Sequence, residues 1–213
     1  MSRVPHIAVG APWDGPELAL STAQWRRLTK VLRLRRGDAV SYTDGLGAVG
    51  TGTVLDRSLV RGEEREAPRG RELWVAAAPP ANKDRQRFLV EKVAELGVAR
   101  LLWLKTERGK GRVASGPKLF AWALSALEQS RGAWLTETSP ELVGWEALAP
   151  PVVVCLRGGP PAPPRAATVV VGPEGGFADG EIPTDASRWG LGPTVLRVET
   201  AAVAAAARVL GAS

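Results

Sequence analysis

The sequence predicts an α/β fold: a parallel sheet covered on both faces, preceded by a smaller β-rich unit. Three observations carry that prediction. The runs ELWVAAA, RLLWL, PVVVCL and TVVV are unbroken and apolar, as strands buried on both faces are, rather than alternating. Amphipathic stretches such as DRQRFLVEKVAELGV and PKLFAWALSALEQS stand between them, the β–α alternation that builds parallel sheets. Before the charged stretch at 57–70 the texture differs, with short alternating runs and Gly-rich turns.

Taken in order, residues 22–32 (TAQWRRLTKVL) predict a short helix, with Thr22 as N-cap and Trp25, Leu28 and Leu32 at helical spacing. Arg36-Gly37-Asp38 then turns the chain into two strands, in which Val40 and Tyr42, then Val49, Thr51, Thr53 and Leu55, alternate. Gly45-Leu-Gly47-Ala-Val-Gly50 fits a dinucleotide-binding loop by letters. The β-branched Thr51-Gly52-Thr53-Val54 that follows is strand-like rather than helical, so the glycines read as a hairpin turn. Residues 57–70, RSLVRGEEREAPRG, read as a poorly formed last strand running into a linker, which divides the chain into domains at 1–70 and 71–213.

In DRQRFLVEKVAELGV, Leu89, Val90, Val93, Ala94 and Leu96 share one side and Gly97 stops the helix. RGGPPAPPRAA at 157–167 is a loop too rich in proline to pair. LGPTVLRVETAAVAAAA, 191–207, joins a Gly-Pro turn to a short strand and then to a closing helix that opens at Glu199 and Thr200. Its alanines suit close packing against another backbone, and Arg197 emerges from the apolar segment where the helix begins.

Composition narrows the chemistry. No apolar stretch in the 213 residues is long enough to span a membrane as a helix, and the N-terminus lacks the apolar core of a secretion signal. A single cysteine, Cys155, excludes an internal disulfide and agrees with a reducing cytoplasm. With one Cys and one His (His6, expected near a floppy terminus), zinc sites and Ser-His-Asp or Cys-His catalysis are disfavoured, and Cys155 reads as a small core residue. The net charge of +6 points to a polyanionic partner. Arg26, Arg27, Lys30, Arg33, Arg35 and Arg36 follow Trp25 with no acidic residue among them, as either a solvated helix face or a grip for phosphates.

VVVGPEGGFADGEI, 169–182, ends a buried strand in glycines around one carboxylate. With Glu174 and no nearby cation, a phosphate ligand is disfavoured. The glycines would let the backbone approach a flat ligand at the carboxyl end of a parallel strand, or they form a sharp turn whose Glu174 caps a following helix.

In their order, VLRLRRGDAV, DRQRFLVEKVAELGV, TERG, ALEQS, VVVGPEGGFADGEI and LGPTVLRVETAA resemble the bacterial small-subunit (16S) ribosomal RNA uridine-N3 methyltransferases. These belong to the trefoil-knot (SPOUT) class of S-adenosylmethionine enzymes. The resemblance covers nearly the whole chain and is strongest from Glu72 onward. It implies a PUA-like RNA-binding β-barrel over 1–70 and a SPOUT methyltransferase domain over 71–213, whose parallel sheet and deep trefoil knot form the cofactor pocket. It also implies a cytoplasmic homodimer with each active site at the subunit interface, acting without a metal on ribosomal RNA or a small-subunit assembly particle.

Matched to the family's motifs, S-adenosyl-L-methionine would lie against Leu156, Gly172, Pro173, Glu174, Gly175, Gly176, Leu191, Gly192, Val195, Leu196, Arg197 and Thr200. Arg197 would be catalytic, its charge stabilising the uridine anion, or else a salt-bridge partner of Glu199 or Glu174, and Glu174 would either assist or organise its loop. Uridine N3 is itself the nucleophile, so no covalent cysteine is required. RNA would be held by the 26–36 cluster with Lys83, Arg85, Arg87 and Arg108. Departures from the family pattern fall at Trp25, where histidine is common, and at Arg131, one position off the family's Q-x-x-R arginine. The alternatives are an RNA-binding protein of this fold without turnover, and an enzyme acting on another base or a ribose hydroxyl.

Overall fold

In the computed structural model, which describes residues 4–161 and 166–211, the chain divides into two units. One is Met1–Arg69 with Leu127–Leu135, the other Gly70–Ala126 with Thr136–Ser213. The centre of the proline-rich loop, 162–165, lies outside the described residues.

The first unit is a mixed five-stranded sheet of β1 (His6–Ala8), β2 (Glu17–Ala19), β3 (Ala39–Thr43), β4 (Ala48–Val54) and β5 (Ser58–Glu66), in the order β1-β3-β4-β5-β2. Only β1 and β3 run parallel. Its helix α1 (Thr22–Arg26) is capped by Ser21 rather than Thr22. The Ser21 hydroxyl accepts from the Gln24 N–H while the Gln24 side chain accepts from the Ser21 N–H, a reciprocal capping box. The helix widens into a π-helical turn over Arg27–Val31 instead of continuing as α to residue 32. Trp25 packs on a core built from Ile7, Leu28, Val40, Tyr42 and Leu59.

The Gly45–Gly50 stretch is the β3–β4 hairpin. Asp44 Oδ1 accepts from the N–H groups of Leu46 and Ala48, and Gly45 and Gly47 take φ of +77° and +119°. In β4 the inward residues are Gly50 and Val54, while Thr51 and Thr53 are exposed, so the expected Val49–Leu55 face is the outer one. A Cβ on Gly50 would lie 2.5 Å from the Tyr42 ring, so the glycine makes room for a tyrosine that is wholly buried. β5, expected to be poorly formed, is a continuous nine-residue strand with one register shift against β4, since its charged side chains can point to solvent while its backbone pairs β4 and β2. His6 is not on a floppy end either. It is buried in β1, hydrogen-bonded to Ser41 Oγ at 2.9 Å and to the Gly132 carbonyl at 3.2 Å, and burial lowers its pKa. Arg131, the displaced arginine, donates to the Val4 carbonyl and to Ser41 Oγ.

The second unit holds a six-stranded, wholly parallel sheet: β6 (Trp74–Ala77), β7 (Arg100–Leu104), β8 (Glu137–Val143), β9 (Val152–Cys155), β10 (Thr168–Val171) and β11 (Ser187–Trp189), in the order β11-β9-β10-β6-β7-β8. The central strands are the apolar runs. The two edge strands escape sequence reading because β8 (ETSPELV) is mostly exposed and carries a proline, while β11 is three residues long. Helix α2 (Lys83–Glu95) starts at an Asn82 cap and is followed by Gly97 at φ +78°. Its buried face includes Leu89, Val90 and Val93, but Leu96 is 36% exposed and the fully buried Gln86 takes part instead. Helix α3 spans Gly116–Ser130. Helix α4 (Val198–Leu210) lies on α2, β10 and β6. Ala201, Ala202, Ala205 and Ala206 are buried there, the close packing their small size permits. Residues 191–197 form a bend rather than the expected short strand.

Candidate active site

β9 and β10 lie side by side, Cys155 opposite Val171, so their carboxyl ends release two loops at the same place. The bend entering α4 closes over them, enclosing a cavity of about 400 Å³. Such a volume lies in the range of small-molecule sites. Its lining includes Leu156, Gly172, Pro173, Glu174, Gly176, Leu191, Gly192, Val195, Leu196 and Arg197, together with Cys155, Arg157 and Phe177. Two residues expected there are elsewhere. A Cβ on Gly175 would meet the Arg108 side chain at 3.7 Å, and Thr200 is exposed outside the lining. The glycine that admits no side chain is Gly172, where a Cβ would fall 2.5 Å from the Phe177 ring. Gly176, at φ +71°, donates its N–H to the Pro173 carbonyl and closes the turn. No helix follows Glu174, so it caps none.

The main chain of the bend is chemically open. Among the described residues, no intramolecular hydrogen bond engages the N–H groups of Gly192, Thr194, Val195, Leu196 or Arg197. These residues are exposed, so their N–H groups are free to meet a ligand, and a nucleoside-sized one with acceptors on its edge would engage them. The cavity therefore fits a flat, polar-edged ligand held by backbone.

The charges around it are arranged differently from the sequence expectation. Glu174 does have a nearby cation: Arg85, from the first turn of α2, donates from Nη1 to Glu174 Oε1 at 2.7 Å. The same guanidinium holds Glu199 in a bidentate pair, Nε–Oε1 at 2.9 Å and Nη2–Oε2 at 2.8 Å. Burial pushes the Glu199 carboxyl up, but the Arg85 hydrogen bonds and charge outweigh it, leaving its pKa below the ordinary range. Arg85 is raised by the Glu199 hydrogen bonds first and by Glu174 next. One arginine thus ties α2, the Pro173–Gly176 turn and the start of α4 together. With both carboxylates engaged by Arg85, the N-cap residue Arg197 stays exposed and forms no ion pair among the described residues. Burial pushes the Cys155 thiol up to about 12, so it stays protonated at neutral pH, as a non-nucleophile should.

The expected RNA contacts divide into held and free groups. Arg27 pairs with the buried Glu128 and Arg36 with Asp56 at 3.4 Å, whereas Arg26, Lys30, Arg33 and Arg35 form no ion pair among the described residues. Lys83 donates to the Arg112 carbonyl, Arg87 pairs with Glu91 one turn on, and Arg108 donates to the Gly175 carbonyl at 3.1 Å. Glu128 and Asp56 were invisible to a reading of charge runs because they come from distant parts of the sequence.

Comparison with known proteins bears on this site. Residues 155–210, which contain most of the cavity lining, match the RNA methyltransferase domain family. The chain is 28% identical to ribosomal RNA small subunit methyltransferase E of Synechocystis, over 90% of this chain and 72% of that protein. Among solved structures, ribosomal RNA small subunit methyltransferase E of Neisseria gonorrhoeae bound to S-adenosylmethionine superposes with a TM-score of 0.82 at 23% identity, covering 99% of this chain and 98% of that one. A Legionella pneumophila protein assigned as a methyltransferase, in complex with the cofactor S-adenosylmethionine, gives 0.77 at 25% identity over 99% and 98%. These likenesses fix the fold: an α/β chain with a mixed sheet and a parallel sheet, like these methyltransferases.

Proposed function

We propose that this chain is an S-adenosylmethionine-dependent methyltransferase of small-subunit ribosomal RNA, acting at N3 of a uridine. The observation that carries the reading is the backbone-walled cavity at the ends of β9 and β10, whose lining coincides with the matched RNA methyltransferase region. The relatives of this fold that hold S-adenosylmethionine support the choice of ligand.

S-adenosylmethionine, when bound, supplies an activated methyl group on a positively charged sulfonium. The open main-chain groups of 191–197 and the Gly172–Gly176 turn would hold it, with Leu156, Val195 and Leu196 giving apolar cover. Glu174, tied to Arg85, keeps that turn in place and leaves a negative charge near the sulfonium. Arg197, committed to no carboxylate, is available to the uridine oxygens as the N3 proton leaves. Displacement at methyl is in line, so positioning of N3 does most of the remaining work. In this reading the first unit is the PUA-like RNA grip, acting through Arg26, Lys30, Arg33 and Arg35. The second unit carries the trefoil knot, and two copies form the working dimer in the cytoplasm.

Calorimetry with S-adenosylmethionine, followed by nucleoside mass spectrometry of small-subunit RNA after incubation, tests the reading. Binding and 3-methyluridine are expected. No binding at millimolar cofactor overturns the enzyme, methyl on another atom overturns the N3 assignment, and RNA binding without transfer leaves a binding protein. Within the pocket, Gly172→Ala is expected to weaken cofactor binding at least tenfold and to destabilise the fold by about 1–3 kcal/mol through overpacking against Phe177. Gly175→Ala, facing Arg108, should leave affinity within a factor of about two, its new methyl making only ordinary contacts. Equal effects of the two variants would contradict this pocket.

A further inference from the structure

A second cleft, of about 580 Å³, lies on the far side of the Pro173–Gly175 turn and shares Pro173, Glu174 and Val198 with the cavity above. We infer that it receives the phosphate-bearing part of the acceptor nucleotide, with Lys110 holding a phosphate oxygen; this rests on the reading of the chain as an RNA methyltransferase. Two ligands that exchange a methyl group must meet across a short distance, and two cavities divided by one turn satisfy that requirement.

The cleft is built rather than incidental. The loop after β7 is fastened to the entry of α2 by Gln86, a fully buried side chain. Its Nε2 donates to the carbonyls of Pro80 and Arg112, and its Oε1 accepts from the Ala114 N–H. Gly111 lies directly against the Pro79 carbonyl, with no room for a Cβ. The loop carrying Lys110 is thereby held immediately after that residue.

The cations of the lining are not equivalent. Arg85 is consumed by Glu174 and Glu199, and Arg108 spends one donor on the Gly175 carbonyl while remaining exposed. Lys110 is exposed and has no partner among the described residues. A flexible ammonium with three unused donors is suited to a phosphate as a point charge. Glu107, the other carboxylate of the lining, suits the ribose hydroxyls of the same nucleotide.

The test uses the full chain with Lys110→Ala and Lys110→Arg. Three readouts are taken: cofactor affinity by calorimetry, direct binding of a small-subunit ribosomal RNA transcript over a salt series, and methyl-transfer kinetics. Lys110→Ala is expected to raise KM for RNA about tenfold and to reduce the slope of log affinity against log salt by about one, with cofactor affinity unchanged. Lys110→Arg should restore most of both. An unchanged salt slope and KM in Lys110→Ala overturns the cleft, as does loss of cofactor affinity in that variant. Failure of the wild-type chain to bind cofactor overturns the enzyme reading instead, while the salt series still decides whether Lys110 meets phosphate.

Discussion

Replacing Arg197 with alanine is expected to slow methyl transfer by about 10²–10³-fold, the loss typical of one donor aimed at developing negative charge. The fold should not notice. The side chain is exposed and forms no ion pair among the described residues, and Glu199, which feels its charge, keeps its Arg85 partner, so the melting temperature should move by no more than about 2 °C. Cofactor affinity should change little, because the main chain at that position is untouched. Single-turnover rates, thermal melts and calorimetry on the same variant separate these effects. Arg197→Lys should recover part of the rate, since the charge returns without the planar fork. A variant that turns over normally, or one that loses its fold along with its activity, contradicts the assignment.

Arg85→Ala should do the opposite, striking stability first. It takes the bidentate partner from Glu199, 7% exposed, and leaves only the more distant charge of Arg197. Removing one partner of such a pair costs about 3 kcal/mol or more. The sign of the pH dependence follows from Arg85 holding the Glu199 pKa below its ordinary value. In the native protein that contribution is complete above the ordinary carboxylate range and is lost as the pH falls through the lowered native pKa. In the variant burial, which favours the protonated acid, is opposed only by a backbone hydrogen bond and the charge of Arg197, so the deficit relative to the native chain should narrow as the pH is lowered from 7 towards 3. Denaturant titrations across that range would show it; a constant deficit would mean Glu199 is not the group responsible. Because the same guanidinium anchors the Pro173–Gly176 turn, cofactor affinity should fall as well.

The central strands and long helices are legible in the sequence because each has one dominant cause: unbroken apolar runs for β6, β7, β9 and β10, and a 3.6-residue stripe for α2. β8 is not, and β5 is legible only as a poorly formed strand, because a paired backbone with solvent-facing charges leaves no apolar pattern. The π turn after α1 and the inward face of β4 also escape, since both are decided by what packs opposite, Tyr42 filling the space a side chain at Gly50 would need. Of the candidate site, the glycine-bearing loop and the bend before α4 are visible as motifs, and the structure brings both into one cavity. What no local pattern could show is the Arg85 bridge, whose partners Glu174 and Glu199 lie far along the chain, and the consequent freedom of Arg197.

The strand order also dictates when this protein becomes competent. β10 sits between β6 and β9, its Thr168–Val171 in register with Trp74–Ala77, strands emerging from the ribosome at very different times. Contacts of such long sequence separation close late, because loop entropy must be overcome before they contribute. Cavity and α4 both follow β10, so a nascent chain stalled before them carries most of its sheet-forming sequence and no place for a methyl donor. On the proposed reading, substrate modification would therefore await the synthesis of α4.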